Sequence, residues 1–296
     1  MTQLVHTSSD LRAAVGRRGG GEQFAPNELG VVMTMGALHD GHRELIAQAR
    51  KRCAQIVVTV FLNPLQFAPG EDLTRYPQTL PADIALCEQE GVDVVFAPGV
   101  EEVYPGGEPL VRVSAGPLGD VLEGASRPGH FDGVLTVVAK LLHLTGPDVA
   151  YFGQKDAQQL LLISRMVADL NFPTDVTAVP TVRDDDGLAL SSRNIYLTPA
   201  DRVVALALSR ALAAGAALQD RGPTAVRRGA RAVLDLEPSL RVDYCRLVDQ
   251  ASLVDVDDNA TGRALLVLAA GVGTTRLIDN AVLELGHDGS GLRSTT

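Results

Sequence analysis

The sequence predicts an α/β protein, with a Rossmann-like, doubly wound parallel sheet and a smaller C-terminal α/β domain. Up to residue 181, short apolar runs alternate with helical segments, which is typical of parallel strands buried on both faces. Several of these runs end in glycines and polar residues, where open α/β sheets bind ligands. From residue 182 the pattern changes, so the predicted domains are 1–181 and 182–296.

In the first domain, the apolar runs predict strands and the segments between them predict helices. Three consecutive glycines within residues 15–28 predict a mobile surface loop. The elements after this loop are predicted in the order strand 29–34, helix 42–53, strand 55–63, helix 80–91, strand 92–98, helix 131–144, strand 148–153, helix 156–170 and strand 175–182.

The second domain begins with a long helix over residues 197–219. Thr198 is the expected N-cap of this helix and Pro199 its first residue. The remaining elements are predicted as helix 223–235, strand 240–249 and strand 263–273, with a disordered tail from about 286.

Composition excludes several classes of partner. The net charge of -10 and the pI near 5.0 argue against nucleic acid, although a small phosphate ligand needs only a local basic pocket. Three scattered cysteines predict reduced thiols in a cytoplasmic protein. Neither a signal peptide nor an apolar run of about 18 residues is evident, so no membrane partner is expected.

The segment VVMTMGALHDGH, residues 31–42, carries two histidines directly after a predicted strand. Asp40 is the predicted N-cap of the following helix, which puts His42 in the first turn and His39 before it. A helix N-terminus attracts anions, and a neutral His42 can donate one hydrogen bond to a phosphate. Two other interpretations remain open: a partial metal site that lacks a third ligand, or surface histidines without a role.

Two further segments suggest phosphate binding. Lys155 follows a predicted strand at the start of a helix, where its charge is unfavourable unless an anion is bound. Asp156 and Gln159 match a capping box, and Asp156 is equally well a ligand contact. The segment DGLALSSRN, residues 186–194, offers two hydroxyls and an arginine at the domain boundary, although an ordinary turn has the same composition.

These segments resemble the HIGH and KMSKS motifs of the nucleotidylyltransferase superfamily, and more closely the pantothenate synthetase (pantoate–β-alanine ligase) family. The resemblance covers about residues 29–285. It rests on TMGALHDGH, FLNPLQF, EDLTRYPQTL, RPGHFDGVLTVVAKLL, FGQKDAQQLLLISRMVADLN and LALSSRNIYL, which occur in the family's order. It implies an ATP-dependent ligase, with a pantoyl-adenylate intermediate, that makes pantothenate, AMP and pyrophosphate from pantoate and β-alanine. It also implies a homodimer, with Mg²⁺ accompanying the nucleotide.

The resemblance assigns residues to each ligand. Gln66 and Gln159 match pantoate contacts, and Gln66 also matches a β-alanine contact. The expected catalytic residues are His42 as proton donor, His39, Lys155 and Arg193. The implied ATP site comprises Met35, Gly36, Ala37, Leu38, His39, Asp40, Gly41, His42, Gly153, Gln154, Lys155, Asp156, Val182, Leu190, Ser191, Ser192 and Arg193.

Some positions depart from the family's pattern, and none removes a group that the reaction requires. We expect them to affect affinities and rates rather than the reaction itself. The positions are Met33, Arg43, Asp132, Gln154 and Ala157. One alternative function is a nucleotidylyltransferase acting on a phosphate ester, which would leave Gln66 and Gln159 unexplained. Another is a nucleotide-sensing module without activity. An aminoacyl-tRNA synthetase fits less well, because the chain is short and acidic.

Overall fold

The computed structural model describes residues 1–16, 28–68 and 70–286. Residues 17–27 of the predicted surface loop and residues 287–296 of the predicted tail lie outside this part of the chain. The chain divides into two compact units, Met1–Val182 and Arg183–Thr296. This boundary falls one residue after the one predicted from the sequence.

The first unit contains a parallel sheet and its covering helices. Its strands are β1 (Gln3–Val5), β2 (Leu29–Thr34), β3 (Gln55–Val60), β4 (Val94–Phe96), β5 (Val149–Gly153) and β6 (Asp175–Val179). Its helices are α1 (Ser8–Ala14), α2 (Asp40–Arg52), α3 (Leu80–Gln89), α4 (Val100–Val103), α5 (Glu123–Ser126), α6 (His130–Thr145) and α7 (Ala157–Asp169).

The six strands of this sheet lie in the order β1-β4-β3-β2-β5-β6, and all their pairings are parallel. The chain moves outward from β2 through β3 and β4 on one side, and through β5 and β6 on the other. Strand order therefore reverses between β2 and β5, which is the switch point of a doubly wound sheet. The predicted Rossmann-like fold is confirmed.

Apolar clusters cover both faces of the sheet at β2 and β3, where successive strand residues point to opposite faces. Val31 and Val57 belong to the apolar cluster formed with α6 and α7. Their neighbours Val32 and Val58 belong to a second cluster formed with α2 and α3. The continuous apolar runs of the sequence follow from this two-sided burial.

The second unit packs two helices against a small antiparallel sheet. Its elements are α8 (Pro199–Ala216), α9 (Pro223–Leu234), β7 (Leu240–Val248), β8 (Gly262–Val272) and β9 (Thr275–Leu285), with the strands in the order β7-β8-β9. Thr198 caps α8 as predicted: its hydroxyl accepts the Asp201 N–H at 3.1 Å, and Asp201 reciprocates. The predicted smaller α/β domain is confirmed.

Sequence patterns did not predict every element. The short β1 and α1 at the N-terminus and the long β9 were missed, as were the one-turn helices α4 and α5. β1 has three residues and pairs only with β4, whose partner residues lie 91 positions further along the chain, so its order depends on tertiary pairing. No helix among the described residues is long and apolar enough to cross a membrane.

Candidate active site

Three chain segments of the candidate site leave the same edge of the first unit's sheet. Parallel strands end at a common edge, so the loops after β2, β3 and β5 all begin there. These loops carry His39, Gln66 and Lys155 respectively. One contact joins two of them directly, because the Gln66 Nε2 lies 3.0 Å from the Met35 Sδ.

The backbone between β2 and α2 turns sharply through two residues with positive φ. Gly36 has φ +86°, and Ala37 has φ +52°, which is uncommon for a residue with a side chain. The Thr34 hydroxyl accepts the Gly36 N–H at 3.1 Å. The Asp83 carboxylate, from α3, accepts the N–H groups of Ala37 and Leu38 at 3.2 and 2.8 Å. We call residues 35–39 the motif loop.

The two histidines form the cap of α2. The helix begins at Asp40, and His39 is its N-cap, so the predicted capping by Asp40 is wrong. The Nδ1 of His39 accepts the Gly41 N–H at 3.1 Å, and the Nδ1 of His42 accepts the His39 N–H at 3.2 Å. Imidazoles thus provide a reciprocal capping box, with ring centroids 4.1 Å apart.

These contacts determine which nitrogen of His42 carries hydrogen. Burial, followed by the nearby His39, lowers the pKa of His42 to about 3, so the ring is neutral at pH 7. A neutral imidazole has one donor and one acceptor nitrogen, and Nδ1 is the acceptor. The hydrogen therefore lies on Nε2. Within the described residues, no group of three or more His, Cys, Asp and Glu side chains could hold a metal ion.

Gln66 is held at its side chain by Asn63, which is 1% exposed. The Asn63 Nδ2 donates to the Gln66 Oε1 at 3.0 Å, and the Asn63 Oδ1 accepts from the Tyr104 hydroxyl at 2.8 Å. Because the Gln66 oxygen is an acceptor in this bond, its amide NH₂ faces the other way, toward Met35. The orientation of the Gln66 amide is thereby fixed.

The backbone of Gln66 is held from a second side. Arg127 and His130 both bond the Gln66 carbonyl, at 3.2 and 2.8 Å. Arg127 also forms a bidentate pair with Glu71, and its Nη1 donates to the His130 Nε2 at 2.9 Å. Burial, and then the Arg127 charge, lower the pKa of His130 to about 4. His130 therefore donates from Nδ1 to the carbonyl as a neutral ring.

Lys155 and Gln159 lie on either side of the start of α7. Lys155 belongs to a 3₁₀ turn, residues Gln154–Asp156, that precedes α7 rather than to its first turn as predicted. Asp156 is the N-cap but makes no side-chain cap hydrogen bond, so the capping-box interpretation of Asp156 and Gln159 is wrong. Its ψ of 61° lies outside the extended region usual for a capping residue.

The remaining predicted ATP-site residues are divided between the units. Val182 ends the first unit, and Leu190–Arg193 belong to the second. In the second unit, Ser191 caps a 3₁₀ turn, residues Ser192–Tyr196, by accepting the Arg193 N–H at 3.3 Å. The segment before this turn begins at Arg183, which forms a bidentate pair with the buried Asp279.

Two departures from the family's pattern have structural partners. Asp132 accepts the Ala115 N–H at 2.7 Å, and Arg43 pairs with Glu90 and Asp40. Sequence reasoning gave no role to Asp83, Asn63, Arg127 and His130, all of which contact the candidate site. Asn63, Arg127 and His130 lie within the quoted motifs, and Asn63 comes at the end of an apolar run. Asp83 lies in none of these motifs, so no sequence signal pointed to it.

The fold places the chain in the class of open α/β proteins, which bind ligands at the switch point of the sheet. The pantoate–β-alanine ligase family model matches residues 3–282 of the chain. The pantothenate synthetase of Streptomyces avermitilis is 51% identical, over 96% of this chain and 98% of that protein. The chain therefore belongs to the pantoate–β-alanine ligase family.

Solved structures agree with this assignment. The Thermus thermophilus enzyme, a pantothenate synthetase, has a TM-score of 0.88 at 46% identity, covering 97% of this chain and 100% of that one. A pantoate–β-alanine ligase from Francisella tularensis, complexed with β-γ ATP and β-alanine, has a TM-score of 0.77 at 33% identity. That match covers 95% of this chain and 98% of the other.

The lowered pKa of His42 predicts how stability responds to acid. The unfolded ring binds a proton near pH 6.5 and the folded ring only near pH 3, so the free energy of unfolding falls as pH drops below 6.5. Between about pH 7.5 and pH 5, His42→Asn should lose about 2 kcal/mol less stability than the parent. Urea unfolding at both pH values measures this difference. The exposed His143→Asn is the control, and equal acid sensitivity of His42→Asn and the parent would contradict the assigned neutral ring.

Proposed function

We propose that this chain, a pantoate–β-alanine ligase, condenses (R)-pantoate with β-alanine in two ATP-dependent steps within the candidate site. Family membership gives the overall reaction: the chain is an amide-forming ligase that uses ATP as a substrate. The observation that best supports the location is the meeting of the motif loop with Gln66 at the carboxyl edge of the sheet. In open α/β sheets, that edge is where ligands bind.

In the first step, a pantoate carboxylate oxygen attacks the α-phosphorus of ATP. A P–O bond forms, the bond to pyrophosphate breaks, and pyrophosphate leaves with the electron pair. The carboxylate is already ionised at pH 7, so this step needs no general base. It needs in-line positioning and stabilisation of the phosphate charge. We assign that task to His39, His42 and Lys155, together with Ser191, Ser192 and Arg193 of the second unit, while the remaining residues of the implied ATP site hold the nucleotide.

His42 is proposed to act as a hydrogen-bond donor to a phosphate oxygen through Nε2. Two observations support this role: the ring is neutral, and its Nδ1 is occupied by the His39 N–H. A fixed tautomer needs no reorganisation when charge develops on the phosphates. The family's proton-donor role belongs to the same nitrogen, since Nε2 is the one that carries hydrogen.

Gln66 and Gln159 are proposed to bind pantoate, with Gln66 also contacting β-alanine. An amide suits a substrate with hydroxyl groups, because it offers both donors and an acceptor. The fixed orientation of Gln66 supports donation from its NH₂. In the second step the free β-alanine amine attacks the adenylate carbonyl. The C–N bond forms, AMP leaves with the electron pair of the broken C–O bond, and the nitrogen releases a proton to water.

Mg²⁺ is proposed to enter with ATP, held by phosphate oxygens and water. The described residues contain no group of three or more His, Cys, Asp and Glu side chains that could hold the ion by themselves. The ion would neutralise charge on the phosphates, while the protein side chains orient them.

A homodimer and a cytoplasmic location are also proposed. Leu110 and Val111 are almost fully exposed, and a second copy of the chain would remove such apolar side chains from water. The next residue along the chain, Arg112, lines a cavity of about 670 Å³ in the first unit. All three cysteines are free thiols, which supports a reducing compartment.

The adenylate step predicts isotope exchange without the second substrate. Labelled pyrophosphate should enter ATP when pantoate and Mg²⁺ are present and β-alanine is absent, because the first step is reversible on its own. The measurement is radioactivity in ATP over time, with pantoate omitted as the control. Exchange with a phosphate ester in place of pantoate, and none with pantoate, would instead support the alternative nucleotidylyltransferase.

Two substitutions separate the functions of the two nitrogens of His42. Asparagine puts an acceptor near the position of Nδ1 but no donor near Nε2, whereas glutamine puts a donor near Nε2. If the Nε2–H serves the phosphates, His42→Asn should slow pyrophosphate exchange about 10²–10⁴-fold. His42→Gln should retain more activity, while losing about 1 kcal/mol of stability with the cap. Near-parental exchange by His42→Asn would refute the role proposed for Nε2.

Gln159 has a matched control in the preceding residue of the chain. Gln159→Ala should raise KM for pantoate by the equivalent of ~1–3 kcal/mol, leaving KM for ATP and the melting temperature nearly unchanged. Gln158 instead bonds Glu123, Leu118 and Val121 through its buried amide. Gln158→Ala should therefore lower the melting temperature without changing KM for pantoate. Steady-state kinetics and thermal unfolding test both, and an unchanged pantoate KM in Gln159→Ala would contradict the assignment.

A further inference from the structure

Asp83 is a buried carboxylate that faces the motif loop from α3. It is 2% exposed, and both of its oxygens accept hydrogen bonds. Oδ2 accepts from the Ala37 N–H, and Oδ1 accepts from the Leu38 N–H and from the Thr79 hydroxyl at 3.1 Å. The two backbone donors are 46 and 45 positions away in the chain.

The backbone conformation of the motif loop, which Asp83 bonds, is not one that the loop favours by itself. Gly36 and Ala37 both have positive φ, and Ala37 carries a side chain. Such a residue keeps this conformation only where its surroundings impose it. Gly36 also lies against the carboxylate, because a Cβ at this position would sit 3.1 Å from the Asp83 Oδ2 and 3.2 Å from Val60.

The motif loop leads directly into the hydrogen bonds made by the two histidines. After the Ala37 and Leu38 N–H groups bound by Asp83, the His39 N–H is donated to His42 and the Gly41 N–H to His39. Four backbone N–H groups of the motif loop and the first turn of α2, those of Ala37, Leu38, His39 and Gly41, are thus bonded to side chains of the protein. With these N–H groups occupied, His39 and His42 can still offer their Nε2–H groups to an anion.

We infer that Asp83 is a positioning residue for adenylate formation, which sets the motif loop and through it the Nε2 atoms of His39 and His42. The inference rests on the proposed function of these histidines at the ATP phosphates. A carboxylate is required because two backbone N–H groups point at two separate oxygens. Asparagine has the same shape, but it offers one oxygen and turns an NH₂ group toward a backbone N–H.

The test compares Asp83→Asn with Asp148→Asn. Asp148 also accepts a backbone N–H, that of Leu29 at 2.6 Å, but at the start of β2 rather than beyond its end. Asp83→Asn should slow pantoate-dependent pyrophosphate exchange about 100-fold, which is typical of a small misplacement of catalytic groups. KM for pantoate should stay unchanged. Asp148→Asn should exchange at the parental rate when both variants are assayed well below their melting temperatures.

Amide hydrogen exchange supplies a readout that does not depend on activity. Asp83→Asn should speed exchange at Ala37 and Leu38, and Asp148→Asn should do so only near Leu29. Parental pyrophosphate exchange in Asp83→Asn would overturn the inference, as would equal slowing in both variants, which would indicate general destabilisation. If Asp83→Asn does not fold, Thr79→Val removes one bond to Oδ1. Pyrophosphate exchange about fivefold slower than the parent supports the inference, and parental exchange overturns it.

The failure of this inference can be distinguished from the failure of the proposed function. If His42→Asn exchanges pyrophosphate at the parental rate, the phosphate role of His42 is wrong whatever Asp83 does. If His42→Asn is slow while a folded Asp83→Asn is normal, only the positioning role of Asp83 is wrong.

Discussion

The parallel pairing of β2 with β5 is the constraint on which the candidate site depends. Gly30 pairs with Val149 and Val32 with Tyr151, so both strands run in one direction and end at one edge. Their connections then leave for different sides of the sheet, since β3 pairs with β2 and β6 with β5. The point at which these loops diverge, where open α/β sheets bind ligands, therefore follows from strand order.

At the proposed phosphate site, side chains of the protein occupy backbone donors that could otherwise bind an anion. The first N–H groups around α2 are engaged by Asp83 and by the two histidines. Helix N-termini often bind phosphate through those N–H groups. Engaging them internally gives the imidazoles fixed tautomers and orientations, which suits a reaction whose first step depends on positioning.

Gln66, the residue proposed to bind pantoate, is held by a separate hydrogen-bond network. Gln66 is held at its amide by Asn63 and at its carbonyl by Arg127 and His130. α6 approaches this segment so closely that a Cβ on Gly133 would lie 2.2 Å from the Leu65 carbonyl oxygen. These contacts hold the Gln66 amide in one orientation, which would suit the recognition of a hydroxylated substrate proposed for it.

Local sequence determined the features that short-range physics controls. The apolar runs specified β2 through β6, and Thr198 specified the start of α8, since burial patterns and caps act over a few residues. The motifs also pointed to His39 and His42, whose role at the phosphates stays a prediction. Tertiary structure decided what depends on partners far along the chain. Local preference favours Asp40 as a cap, but the loop held by Asp83, more than 40 positions away, presents His39 instead. Hydrogen bonds over such separations leave no local signal, because the fold alone brings their donors and acceptors together.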